Sequence, residues 1–217
     1  EELLAISGDP LSVCRELQVT IGSRFDCSGV DLSGTYLNRT DLSGVDLAGA
    51  NFTDANLRWV DLSGADLAGA NLTGADLYYA DFTNADLTTA SLFGANLSGV
   101  DLSGVDLTGV DLSGKSLRGA DLSGVDLAGA NFTDANLFNV DLVGADLAGA
   151  DFSGVDLAGV SLSGANLTGV DLSGKSLRGA DLSGADLSGV NFTDANLRGA
   201  DLSGADLSGA DLKRASF

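Results

Sequence analysis

The sequence predicts an all-β fold, a right-handed parallel β-helix, and three observations predict it. From Val30 to Phe217 the chain repeats a five-residue unit with no insertion or deletion. Every position ending in 2 or 7 from Leu32 onward is Leu or Phe, and every position ending in 0 or 5 from Val30 is Ala, Val or Thr, apart from Lys115 and Lys175. Glycine recurs at positions ending in 4 or 9. A short unbroken period specifies a repeat architecture, in which each unit buries its apolar face only against its neighbours.

Residues 1–24 stand outside the period and read as an N-terminal cap. Asp9-Pro10 has the form of a helix N-cap followed by proline at the first helical position. Val13, Cys14 and Leu17 share one face of the short helix expected next, and Val19-Thr20-Ile21 reads as a strand leading into the coil. The first coil of a β-helix leaves backbone groups unpaired and core side chains uncovered, so a plug is expected there. Residues 25–217 then form the coil.

Within a unit such as Ala70-Asn71-Leu72-Thr73-Gly74, small-apolar, polar and large-apolar residues alternate before two turn residues. Period-2 alternation makes the first three a short extended segment, with Ala70 and Leu72 inward and Asn71 outward. A helix needs apolar spacings of three and four, and a strict five drifts around its surface. Glycine in the fifth place supplies the positive φ that a type II turn requires at its third position. The chain therefore bends at every unit toward the same side.

This consensus, Ala-(Asp/Asn)-Leu-x-x over the whole of Val30–Phe217, resembles that of the pentapeptide-repeat family. The resemblance implies a quadrilateral coil with four units to a turn, about nine coils in all, and a rod roughly 45 Å long at a strand spacing of ~4.8 Å. Phe52, Phe132, Phe152 and Phe192 fall in one column on that register. Asn51-Phe52-Thr53-Asp54 recurs at Asn131 and at Asn191, offset by whole turns.

Read as four outward columns, the polar place is sorted by charge. Two adjacent columns are nearly all Asp, including Asp101, Asp121 and Asp141 in one and Asp106, Asp126 and Asp146 in the next. A third is mixed. The fourth is nearly neutral and gathers Arg39, Arg58, Trp59, Tyr78, Tyr79, Lys115, Arg118, Phe138, Lys175, Arg178 and Arg198. Asp and Asn commonly accept hydrogen bonds from turn backbone, which accounts for their presence in the polar place but not for the sorting.

The net charge of −20 argues against nucleic acid and anionic membrane as partners and favours basic ones. No run approaches about 18 apolar residues, so membrane insertion is not expected. The chain lacks Met and reads as a processed or trimmed product. Cys14 and Cys27 are either two buried small residues or a disulfide from cap to coil. A soluble chain in the cytoplasm is expected, or, with the bridge formed, one in an oxidising compartment such as a periplasm or thylakoid lumen.

No catalytic residue, metal site or cofactor site is expected. Gly109–Ser116 and Gly169–Ser176 match a phosphate-binding loop, but glycine recurs because of the coil and another repeat follows where a helix would be needed. Asn-x-Ser/Thr matches arise from the same periodicity. The chain has no His, and its Asp ladders offer no pair in divergent environments for acid–base work. The nonapeptide pattern of calcium-binding β-helices is absent.

The leading expectation is a non-catalytic scaffold that engages a protein partner or sits in a larger assembly. Its candidate contacts are Trp59, Tyr78, Tyr79, Arg58, Arg118, Arg178 and Phe138, since aromatic and Arg clusters are the usual composition of interface hot spots. The coil around Phe217 is a further candidate, for end-to-end contact or a dimer. The alternative comes from the resemblance, which implies a DNA-mimicking protein that binds a type II topoisomerase such as gyrase. Its two acidic columns would present a charge every ~2.7 Å, against one per ~1.7 Å in duplex DNA.

Overall fold

A computed structural model of the chain describes residues 26–217. The expected cap over residues 1–24 lies outside them, and so do Phe25 and Cys14. Each unit closes a four-residue turn. The Val30 N–H donates to the Cys27 carbonyl at 3.2 Å, and Gly29, third in that turn, has φ +65°. Every position ending in 4 or 9 from Gly29 to Arg214 takes positive φ, whether glycine or not.

Between turns the backbone pairs in parallel with the segment 20 residues on. Leu32 N–H donates to the Asn51 carbonyl and Asn51 N–H donates to the Val30 carbonyl, both at 2.8 Å. Four units thus make one circuit, and the four turns per circuit give a four-sided coil. The chain divides into two compact units, Glu1–Asp101 and Leu102–Phe217. In the first, parallel bridges run Asp26–Asp46–Asp66–Asp86 and Asp41–Asp61–Asp81–Asp101. In the second they run Asp106–Asp126–Asp146–Asn166 and Asp121–Asp141–Ser161–Asp181–Asp201. No described residue is helical.

The core of each unit is the stack of inward side chains. Leu and Phe at positions ending in 2 and 7 are buried from Leu32 to Leu197, as the alternation requires, and the described residues include no buried polar side chain. Phe132 and Phe152 stack face to face, centroids 5.1 Å apart and planes within 1°. Cys27 takes the large-apolar place, is buried and is disulfide-bonded. The final turn is more open, with Leu212 37% and Phe217 67% exposed.

Candidate interaction site

The polar places form hydrogen-bonded ladders. In unit after unit the carboxylate accepts from the backbone N–H two residues on: Ser43 N–H to Asp41 at 3.0 Å, Ser63 N–H to Asp61 at 3.0 Å, Thr83 N–H to Asp81 at 2.8 Å. Ser43 and Ser63 add hydroxyl donors to the same Oδ1 atoms, at 2.7 and 2.6 Å. Val143 N–H on Asp141 and Ala148 N–H on Asp146 repeat the pattern in the second unit, as does Thr108, through both N–H and hydroxyl, on Asp106. Hydrogen bonds to the ionised form favour it, so the Ser43 hydroxyl and N–H hold Asp41 below the usual carboxylate range. The Thr108 N–H and hydroxyl do the same for Asp106. Asn in a ladder accepts the same turn N–H and donates its amide to the Asp one turn before, as Asn51 does to Asp31 at 3.0 Å and Asn166 to Asp146 at 2.9 Å. Asn thus relieves like-charge stacking where it occurs, as at Asn166 in a nearly all-Asp column, whereas successive Asp residues leave it in place.

In the first unit the neutral column and its turn build an aromatic–arginine ridge. Arg39, Trp59 and Tyr79 follow one another at whole-turn spacing, with φ of 61°, 53° and 56°. The left-handed region costs a residue with a Cβ roughly 1–2 kcal/mol, and a bulky aromatic there is an outlier. The Arg39 guanidinium lies 5.1 Å from the Trp59 ring centroid. Trp59 and Tyr79 are parallel to within 2°, centroids 6.5 Å apart. The Tyr79 ring covers Gly99, where a Cβ would meet it at 2.8 Å. Tyr78 packs edge-on against Trp59 and Tyr79 at 5.6 and 4.5 Å. Arg58 lies over Trp59 and Tyr78 at 5.0 and 4.5 Å and pairs with Asp76 at 3.1 Å. Trp59 and Tyr79 stay 43% and 52% exposed.

In the second unit Arg118 lies over Phe138 at 4.5 Å, with Phe138 61% exposed. Arg178 makes a backbone contact, its carbonyl accepting from Gly159 N–H at 3.0 Å, and joins no aromatic cluster. The structure thus assembles Arg58, Trp59, Tyr78 and Tyr79 into one cluster and Arg118 with Phe138 into another. Sequence reading placed Arg39 in the column without seeing that it caps Trp59, and it missed Phe93, which is 75% exposed. For Arg39, Trp59 and Tyr79 the available signal was a non-glycine residue in the turn place that glycine holds elsewhere, whereas Phe93 stands one place earlier, before Gly94.

Lys115 and Lys175, in inward places, are only half-buried. Lys175 shares a shallow cleft of about 520 Å³ with Asp151 and Asp171, where its charge adds to the Ser153 and Ser173 hydrogen bonds that hold those carboxyls low. The two phosphate-loop-like stretches end within the coil, where Ser116 bridges Asn136 and Ser176 bridges Asn196, so among the described residues no helix N-terminus faces either lysine. No described cluster has the makings of a metal site, and no described helix is long and apolar enough to cross a membrane.

Comparison with known proteins bears on this architecture directly. The pentapeptide-repeat pattern matches residues 26–64, 55–92, 95–134, 116–154, 135–174 and 176–216. Among solved structures, the chain is 35% identical to HetL, a pentapeptide repeat protein involved in heterocyst differentiation regulation from the cyanobacterium Nostoc sp. strain PCC 7120, over 88% of each chain, TM-score 0.32. It is 21% identical to trypsin-treated QnrB1, a plasmid-mediated fluoroquinolone resistance protein, over 82% of this chain and 88% of that one, TM-score 0.48. It is 27% identical to the pentapeptide repeat protein Rfr23 of the cyanobacterium Cyanothece 51142, over 58% of this chain and 89% of that one, TM-score 0.27. No curated protein matches the chain. With its matched repeats spanning nearly all described residues, the chain belongs to the pentapeptide-repeat family, whose fold is the right-handed quadrilateral β-helix.

Proposed function

We propose that this chain is a non-catalytic interaction scaffold and that the ridge of Arg39, Arg58, Trp59, Tyr78 and Tyr79 is its protein-binding surface. The observation that carries this reading is the backbone of the ridge. Trp59 and Tyr79 occupy positive-φ turn places where glycine would be unstrained, and they hold large rings in solvent there. Residues kept in unfavourable backbone regions mark sites where the surroundings or the function demand them. Exposed Trp, Tyr and Arg in contact with one another are also the composition of binding hot spots.

A second reading rests on the Asp ladders, which present stacked, hydrogen-bonded carboxylates within each unit and would suit a basic DNA-binding surface such as that of a type II topoisomerase. One experiment separates the two. Immobilised wild type, Trp59→Ala with Tyr79→Ala, and Asp101→Asn with Asp121→Asn and Asp141→Asn are used to capture partners, with gyrase as a defined probe, at low and high salt. The ridge reading expects capture that survives salt and the Asn triple but is lost in the aromatic double. Capture lost in the Asn triple and in salt, and kept in the aromatic double, replaces it with the acidic reading. Asn accepts the turn N–H elsewhere in this coil, so the triple should keep its fold.

A further inference from the structure

The ridge does not stand alone on its part of the surface. Trp59 precedes Asp61 by two residues, just as Arg39 precedes Asp41 and Tyr79 precedes Asp81, so ridge and acidic ladder run side by side down the same turns. The two columns are chemically unfinished in opposite senses. Arg39 stacks on Trp59 and holds no carboxylate among the described residues, whereas Arg58 is ion-paired with Asp76. In Asp41, Asp61 and Asp81 the hydrogen bonds from Ser43, Ser63 and Thr83 all reach Oδ1, and none of these bonds engages Oδ2. A guanidinium on an aromatic face retains its in-plane N–H donors for a carboxylate.

Resting on the reading of the ridge as a protein-binding surface, we infer that its partner is a second copy of this chain, docked side by side so that each copy's ridge lies on the other's Asp41–Asp61–Asp81 ladder. The symmetry follows from the layout. A two-fold axis parallel to the coil axis exchanges left and right while keeping height, so a ridge on one side of the axis meets the ladder on the other. An axis across the coil would bring ridge onto ridge and ladder onto ladder. Under the parallel two-fold, Arg39 meets Asp41 of the second copy, and Trp59 and Tyr79 lie against the turns of its Asp61 and Asp81. Both copies rise by the same ~4.8 Å per turn, so register holds over all three turns, with Arg39–Asp41 the charge-paired contact on each side and the two rings supplying apolar contact with the turns. The interface is isologous and closed, as most homodimers are. The net charge of −20 opposes association, and screening at physiological salt weakens that opposition beyond about 8 Å, while the two Arg39–Asp41 pairs, which alone are attractive among the facing charges, lie closer than that.

Sedimentation velocity and light scattering of the full chain over a wide concentration range test this. The wild type should pass from one mass to twice that mass. Trp59→Gly, which places the turn-favoured residue at that φ, should stay folded by circular dichroism and dimerise about tenfold or more weakly. Arg39→Glu alone and Asp41→Lys alone should lose the dimer, and their mixture should regain a heterodimer, because one of its two contacts is native and the other is a reversed ion pair. A wild type that stays monomeric, an Arg39→Glu variant that dimerises like wild type, or a mixture without recovery overturns the inference. The scaffold reading is decided separately, by whether Trp59→Ala with Tyr79→Ala loses a captured partner. A monomeric chain that still captures one through the ridge would reject the second copy and keep the ridge.

Discussion

Gly154, at φ +74°, lies under the Asp134 side chain, and a Cβ built there would collide with that carboxylate and approach the Asp134 backbone nitrogen at 3.3 Å. Gly129, at φ +68°, has nothing within 4 Å of the same built atom. The two positions separate two costs that the repeat makes look alike. Gly129→Ala should lose only the left-handed backbone term, about 1 kcal/mol. Gly154→Ala should lose that and force Asp134 aside, about 2 kcal/mol or more in total. Denaturant unfolding of the two variants measures the difference, and equal losses would mean that the Asp134 carboxylate moves away freely. Asp134 is itself at φ 57°, as are Asp54 and Asp194 in equivalent places, at 56° and 60°. Short Asp tolerates this region better than Trp59 or Tyr79 does, and Asp194 gains a two-pronged ion pair with Arg214 at 2.5 and 2.6 Å. The aromatic pair gains no ion pair there, only ring contacts of about 0.5–1.5 kcal/mol each and the guanidinium groups of Arg39 and Arg58 over Trp59.

One turn of the coil is held by the turns on either side, so the effect of a core change depends on whether both neighbours are present. Leu122 is fully buried, and Leu122→Asp should place an uncompensated carboxylate in the core at several kcal/mol, melting the adjoining turns. Leu212 obeys the same sequence rule but is 37% exposed, so Leu212→Asp should leave the melt close to wild type. Circular dichroism melts of the pair check the inward assignment, and an unchanged Leu122→Asp melt would reject it. The same contrast shows what was legible in advance. The period of five placed every inward Leu and Phe from Leu32 to Leu197, because a coil without insertions leaves no freedom in which way they face. Glycine announced most positive-φ turns, and Asn or Asp is compatible with those at Asp54, Asn84, Asp134, Asn139 and Asp194, but nothing in the residue type advertises the conformation at Arg39, Trp59, Tyr79, Thr89 and Arg214. The hydrogen-bonded Asp ladders were foreseen from turn chemistry. The stacking of Arg39, Trp59 and Tyr79 was not, because it depends on rotamers chosen by contacts between turns rather than by any one unit.

The molecule as a whole carries −20, and its two nearly all-Asp columns stack like charges at most turns, interrupted in the second unit by Ser161 and Asn166. Two carboxylates ~5 Å apart repel by about 0.8 kcal/mol at the dielectric of water, before screening. Added salt should therefore raise the melting temperature, most steeply between very low ionic strength and about 0.15 M, where the Debye length falls to about 8 Å. Acid acts through two opposed effects. Protonating ladder carboxylates removes repulsion and favours the fold. Against this, Asp26, Asp41, Asp106 and Asp186 are held below the ordinary carboxylate range by their Ser or Thr hydrogen bonds. A depressed folded value contributes stability above the unfolded value of about 3.9, and that contribution is lost as pH falls through the folded one. At low salt the melting temperature should hold or rise slightly as pH falls from 7 toward 4, and then drop below about pH 4. At high salt the repulsion is already screened, so only the drop should remain. Melting curves across pH at two salt concentrations distinguish these. A fall that begins well above pH 5 at both concentrations would show that ladder repulsion and turn hydrogen bonds do not govern the acid response of this coil.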